Sequence, residues 1–216
     1  MRQELWQANG SFRKGVVAAK ANVQSVVLGS GREVHDEYSI VVTQMPPNLT
    51  PEAFLEEMAS DLNGAINDAG FNAVNRFSRK QAGRPEVGEL VEIDILGPDN
   101  GAVLLAEKVS DYFIYQTVTT PALGTHPEYG SREFGFEQLS GGSVRFYTRG
   151  VSRAGDGAVK AAGTVPQKTG WTRLMKGISD AIEARGGKVN AGSFQVYKTE
   201  AGPNYDVAPY FWPGRP

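Results

Sequence analysis

Cysteine is missing from this 216-residue chain, and histidine is scarce, with His35 and His126 the only two. The missing thiols exclude disulfides, thiolate metal sites and a cysteine nucleophile. They leave the redox compartment open, since a cysteine-free chain works in either setting. Long apolar runs are missing too: stretches such as Ser25-Val26-Val27-Leu28 fall far short of the roughly 20 residues that span a bilayer. Met1 to Lys20 carries charges throughout and has no apolar stretch of the kind a cleaved secretion signal needs. The expectation is a cytoplasmic protein with no membrane span, and export by a route without a cleaved signal stays open beside it. Charge of one sign is also lacking, because 22 Lys+Arg face 24 Asp+Glu for a net charge of −2. An overall basic field that would draw in nucleic acid is therefore absent.

Hydrophobic residues at 40% and charged residues at 21% describe a globular chain rather than a disordered one. The length suits one domain of ordinary size, or one domain with an added arm. Glycine and proline, 26 and 12 residues, exceed their usual share and predict many turns in a β-rich fold.

Over Val34 to Gln44, Tyr38, Ile40 and Val42 alternate with Glu37, Ser39 and Val41, the pattern of a strand with one buried face. Met45-Pro46-Pro47-Asn48 stops it. Thr50 as cap, Pro51 in the first turn and Glu52, Glu56 and Glu57 behind it start a helix. The spacing of Phe54, Leu55, Met58, Leu62, Ile66 and Ala69 carries that helix over residues 51 to 69, where Gly70 ends it.

From residue 71 to about 152 the pattern is one of strands joined by short turns, which favours an antiparallel meander. Val91, Ile93 and Ile95 lead into the turn Gly97-Pro98-Asp99-Asn100-Gly101. Ala102 to Val109 and Tyr112 to Thr120 follow, then a hairpin of Arg132 to Leu139 and Ser143 to Val151. A small-residue stretch from Ala154 to Lys168 precedes a second helix over 169 to 186. Trp171, Leu174, Met175, Ile178, Ala181 and Ile182 form its apolar stripe. A strand from Ser193 to Thr199 and a Pro- and aromatic-rich tail complete the chain. The organisation expected is an N-terminal extension (1–31), a single α+β domain (32–199) and a tail (200–216).

The order strand, helix, antiparallel strands, long amphipathic helix resembles the START-like, helix-grip superfamily, also called the polyketide-cyclase or SRPBCC group. The pair His126-Pro127-Glu128-Tyr129-Gly130-Ser131-Arg132-Glu133-Phe134-Gly135-Phe136 and Val144-Arg145-Phe146-Tyr147-Thr148 has the look of that group. The likeness covers residues 34 to 186. It implies an antiparallel sheet wrapped on the C-terminal helix around an apolar cavity. It departs from the family in having one helix after the first strand where two are usual, and in continuing past the long helix. By this resemblance the chain is a module that binds a small hydrophobic or aromatic ligand through Tyr115, Phe134, Phe136, Phe146 and Trp171, with no cofactor. On any other α+β fold those rings are ordinary core.

Other chemistry is thinly signalled. His35 and His126 could form an acid–base pair of the kind a metal-independent nuclease uses. Nothing in their spacing forces them together, and two unconnected histidines are the plainer alternative. No HExxH is present and no metal site is expected. Glu92 and Asp94 project to one side of a strand, either to hold a cation or simply as its wet face. No GxxxxGK[ST], GxGxxG or GxSxG motif occurs in a fitting context.

Charge is distributed unevenly. Residues 86 to 138 hold ten acidic and two basic side chains, and residues 145 to 185 hold eight basic and three acidic. Arg145, Tyr147 and Arg149 share a strand face, with Arg153 just beyond. That strip could take a phosphate or nucleic acid; pairing with the acidic strands beside it is the plainer reading, and the near-neutral total charge argues against nucleic acid. An alternative function is thus a small secreted bacterial effector or toxin enzyme acting on RNA or a phosphate-bearing substrate. A third is an assembly subunit that docks on a protein partner through Tyr210, Phe211 and Trp212, since an aromatic cluster is costly to leave wet.

Overall fold

The computed structural model describes residues 5–95, 100–155 and 164–201. Most of the predicted turn at 97–101, much of the small-residue stretch before Lys168, and the tail with Tyr205, Tyr210, Phe211 and Trp212 lie outside the described residues.

The described residues build a nine-stranded, wholly antiparallel sheet. In chain order the strands are β1 (Asn22–Val23), β2 (Ser30–Gln44), β3 (Asn75–Arg79), β4 (Leu90–Ile95), β5 (Asn100–Lys108), β6 (Tyr112–Thr119), β7 (Glu128–Gln138), β8 (Val144–Ala154) and β9 (Lys188–Ala201). They lie side by side as β3-β4-β5-β6-β7-β8-β2-β9, with β1 paired to β6. The helices are α1 (Gly10–Ala18), α2 (Pro51–Ser60), α3 (Leu62–Ile66), α4 (Ala69–Val74) and α5 (Thr164–Ala184). The fold is therefore α+β, a large antiparallel sheet packed against a C-terminal helix, as the order of elements predicts.

The strand periodicity of two sorts the side chains into two faces. On the inner face Tyr38, Ile40, Val42, Val103, Leu105, Phe113, Tyr115, Phe134, Phe136 and Phe146 meet α2–α5 in the main core. The outer face is not left to solvent. Trp6, Phe12 and Ala21 pack there on Ala102, Leu104, Ala106, Ile114 and Val118, so the N-terminal segment covers β5 and β6 from behind.

One helix was expected over 51–69, and three short ones occur. The chain breaks at Asp61, whose backbone leaves the helical region and whose carboxylate accepts from the Gly64 N–H at the start of α3. It breaks again at Asn67, in the left-handed region with φ of 48°, and Asp68 caps α4 by accepting from the Phe71 N–H. Leu62 and Ile66 stay in phase with the apolar stripe of α2, so spacing alone runs straight across both breaks; the Asp and Asn caps are the local signal that it misses. The single helix noted as a departure from the helix-grip pattern, where two are usual, is thus replaced by three short ones. The second departure stands, because β9 follows α5 and pairs along β2.

Helix α5 reaches α3 through Gly177, where a Cβ would fall directly on Ile66 Cγ2. In an open helix, Gly→Ala gains about 1 kcal/mol of propensity, but Ile66 is buried and cannot retreat. Overpacking of about 1–3 kcal/mol wins. Gly177→Ala should therefore destabilise the protein in urea titrations, and Ile66→Ala added to it should recover less-than-additive loss, since the two changes share one contact.

Candidate functional site

Two buried amides make a site possible at the end of the sheet where β6 and β7 part. Gln116 donates to the Gln24 carbonyl at 3.0 Å and the Gly130 carbonyl at 2.9 Å, and accepts from the Trp6 indole at 3.3 Å. Gln24 in turn clasps the His126 peptide, donating to its carbonyl and accepting from its N–H, both at 2.9 Å. These contacts satisfy backbone groups that would otherwise be stranded where the ladder opens. They also hold His126 at the inner face, its ring lying on Gly101 where a Cβ would collide.

A pocket of about 70 Å³ lies there, between the sheet and α5. Its apolar walls are Phe77, Ile93, Val103, Tyr115, Phe134 and Trp171, and Thr117, His126, Glu128, Arg132 and Ser152 supply polar groups. Pockets for drug-sized ligands run to roughly 300–1,000 Å³, so this one admits only a small group. Phe77 stacks on Tyr115 at 6.0 Å between centroids, and Phe134 meets Trp171 edge-on at 5.9 Å. Tyr115 is buried and makes its phenol harder to ionise, its pKa raised above the ordinary value.

Arg132 and Asp36 form an ion pair on the inner face that sequence reading did not single out. Arg132 Nη2 meets Asp36 Oδ1 at 2.6 Å with the side chains 13% and 7% exposed. The two residues belong to β7 and β2, and the guanidinium crosses β8 at Gly150, opposite both. A Cβ on Gly150 would stand 2.6 Å from Nη2, so the crossing requires glycine. From above, Trp171 places its ring 4.1 Å from the guanidinium carbon. Burial, followed by the Asp36 charge, pushes the neighbouring Tyr38 phenol up to about 12. Parity could have revealed the pair: the alternation that turns Tyr38 and Ile40 inward also turns Asp36 inward, and that of Phe134 and Phe136 does the same for Arg132.

Of the five rings expected to line a cavity, Tyr115, Phe134 and Trp171 do so. Phe136 and Phe146 lie deeper in the core, 5.9 Å apart, with Phe146 edge-on to Phe54 of α2 at 5.5 Å.

The structure does not bring the two histidines together. His35 is on the outer face, where its Nε2 meets Glu33 Oε1 at 2.8 Å. Burial alone would raise the Glu33 carboxyl, but His35 and Arg153 outweigh it and hold the pKa below the ordinary range. His126 belongs to the inner pocket. Burial pushes its pKa down to about 4, against a smaller upward pull from the Glu128 backbone, so the ring is neutral at pH 7.

The three arginines of the outer strip are matched by carboxylates on adjacent strands. Arg145 bridges Glu37 of β2 and Glu137 of β7, Arg149 meets Glu133 at 2.8 Å, and Arg153 meets Glu33 at 3.2 Å. The Tyr147 ring lies 4.5 Å from the Arg149 guanidinium carbon and its hydroxyl donates to Glu133 at 2.6 Å. Glu92 pairs with Lys80, while Asp94 is exposed. Among the described residues no group of three or more His, Asp or Glu could hold a metal ion, and no helix is long and apolar enough to cross a membrane.

No protein-family model matches this chain, and no curated protein does. Solved structures are similar in outline. The protein XoxI from Bacillus cereus aligns with TM-score 0.47 and 10% identity over 69% of this chain and 95% of its own. The hypothetical protein jhp0584 from Helicobacter pylori aligns with 0.49 and 10% over 68% and 86%. Ara h 8.0201 aligns with 0.42 and 13% over 70% and 99%. The fold described above rests on the strand pairing and helix placement themselves.

Two expected outcomes follow from the buried groups. Arg132→Ala leaves the Asp36 charge buried and alone and should cost about 3–5 kcal/mol, whereas Arg132→Met with Asp36→Leu should cost far less; denaturant melts of both variants decide it. For His126 the folded pKa of about 4 lies below the ordinary 6.5, so the unfolded chain binds the proton first as pH falls. Its contribution is complete above pH 6.5 and drains away toward pH 4, by on the order of 3 kcal/mol. The difference in stability between wild type and His126→Gln should change across that window, and a flat difference would show that the ring is not buried neutral.

Proposed function

We propose that this chain is a non-catalytic binding module that holds one small ligand, or one small end of a longer ligand, between its sheet and α5. The observation that carries the reading is the pocket in which Tyr115, Phe134 and Trp171 meet His126 and Arg132. Apolar walls with a few placed polar groups are what ligand sites share. The helix-grip resemblance adds a reason to look there, because that architecture sets its cavity between sheet and C-terminal helix. The size of the space restricts the inserted group to a few heavy atoms, which favours the end of a ring or short chain over a whole polycyclic body. The outer strip offers less to a phosphate-bearing substrate, since Arg145, Arg149 and Arg153 already have carboxylate partners.

Native mass spectrometry of freshly purified protein, repeated after denaturation, tests this. A non-covalent adduct is expected on wild type and is expected to vanish from Ser152→Phe, which places a ring at the half-buried rim. Equal adduct on a folded Ser152→Phe protein would remove the pocket from the account, and so would a wild type that stays bare after incubation with a mixture of small apolar and aromatic compounds.

A further inference from the structure

We infer that the group this pocket takes is a neutral hydrogen-bond acceptor, a carbonyl on a small ring or short chain, received by the Nε2–H of His126. The inference rests on the binding reading above and concerns the chemistry of the occupant.

Three observations lead to it. First, the Glu128 backbone N–H points at His126 Nδ1 from 3.0 Å. A backbone amide can only donate, so Nδ1 is the acceptor and the ring proton resides on Nε2. The Glu128 carbonyl, 3.1 Å from Nδ1, has the Gln24 amide as an alternative donor at 3.4 Å. Second, Nε2 has no hydrogen-bond partner among the described residues, although His126 is 9% exposed and lines the pocket. Nε2 is not sealed from solvent, so an oxygen that is not the protein's own can reach it, and a ligand oxygen there takes the place of a water. Among the described lining residues, the donor that is wholly buried without a partner is the indole N–H of Trp171, and a buried donor left without an acceptor is costly.

The third observation is charge. Arg132 is the one cation among the lining residues, and Asp36 already neutralises it at 2.6 Å. Glu128, a lining residue too, carries a further negative charge. A carboxylate or phosphate entering here would find no uncompensated positive charge and would lose its hydration. A carbonyl loses much less and gains the imidazole N–H. The neutrality of the ring at pH 7 agrees with this, because an imidazolium would have favoured an anion.

The two histidines make the test direct. In protein labelled with ¹⁵N-histidine, long-range ¹H–¹⁵N spectra at pH 7 should show the His126 ring protonated on Nε2. Titration with cyclopentanone should then move the Nε2 resonance to saturation, leaving His35 in place. Methylenecyclopentane, of the same shape without the oxygen, should bind about tenfold more weakly or worse, and acetate should not move Nε2. A proton on Nδ1 would overturn the inference before any ligand is added. Equal affinity for the ketone and the hydrocarbon, or preference for acetate, would overturn it while leaving the pocket as a binding site. No saturable response to any of the three compounds, as when water alone occupies the space, would remove the binding reading and this inference with it.

Discussion

A guanidinium that crosses one entire strand to reach its carboxylate organises the middle of this protein. Arg132 of β7 passes over Gly150 of β8 to Asp36 of β2, and Trp171 of α5 closes over it. Two charges withdrawn from water cost several kcal/mol each before their attraction is counted. Such a pair persists only where geometry is close and the remaining contacts are good. The short contact, the ring above and the missing Cβ below supply those conditions together. The consequence is positional: three strands and the C-terminal helix must keep one mutual arrangement, or a charge is left buried and unmatched. The space beside this pair is the pocket.

The far wall of that pocket is set by polar groups of a different kind. Gln24 and Gln116 close the seam where β6 leaves β7, and their amides carry no charge to desolvate. Through Gln24 the N-terminal segment determines where the His126 peptide sits. Through Trp6 and Phe12 the same segment covers the outer face of β5 and β6. The inner face is thus shaped by residues packed behind the sheet as well as by the helices in front. The remaining outer face, around β2, β7 and β8, closes on itself through alternating carboxylates and guanidiniums, with Tyr147 buried among them.

Local chemistry in the sequence was legible wherever one periodicity or one cap suffices. Alternation over Tyr38, Ile40 and Val42 identifies both the strand and its core-facing side. Thr50-Pro51 marks the start of α2, where the Thr50 hydroxyl accepts from the Ala53 N–H. The stripe from Trp171 to Ile182 marks α5. The break of one expected helix into α2, α3 and α4 was harder to read, because an apolar stripe keeps its phase across Asp61 while the backbone does not. The rings of the pocket were legible as buried aromatics, but which of them border open space was not. Phe134 and Phe136 share a strand face, and only Phe134 lines the pocket. The difference lies in what packs opposite each ring.

From the sequence alone come the α+β class, the antiparallel order, the absence of thiol chemistry and the inward set of side chains. Each depends on neighbours within a few residues, where steric and periodic rules act without the rest of the fold. The tertiary structure alone decided which polar groups meet. Arg132 and Asp36 are 96 residues apart in the chain, and Gln24 and His126 are 102 apart. It also separated His35 from His126 onto opposite faces and, among the described residues, left a small pocket between the sheet and α5. Contacts of that kind have no period in the sequence; they exist only because nine strands have fixed their register, and a slip of one residue would turn every one of these side chains to the other face.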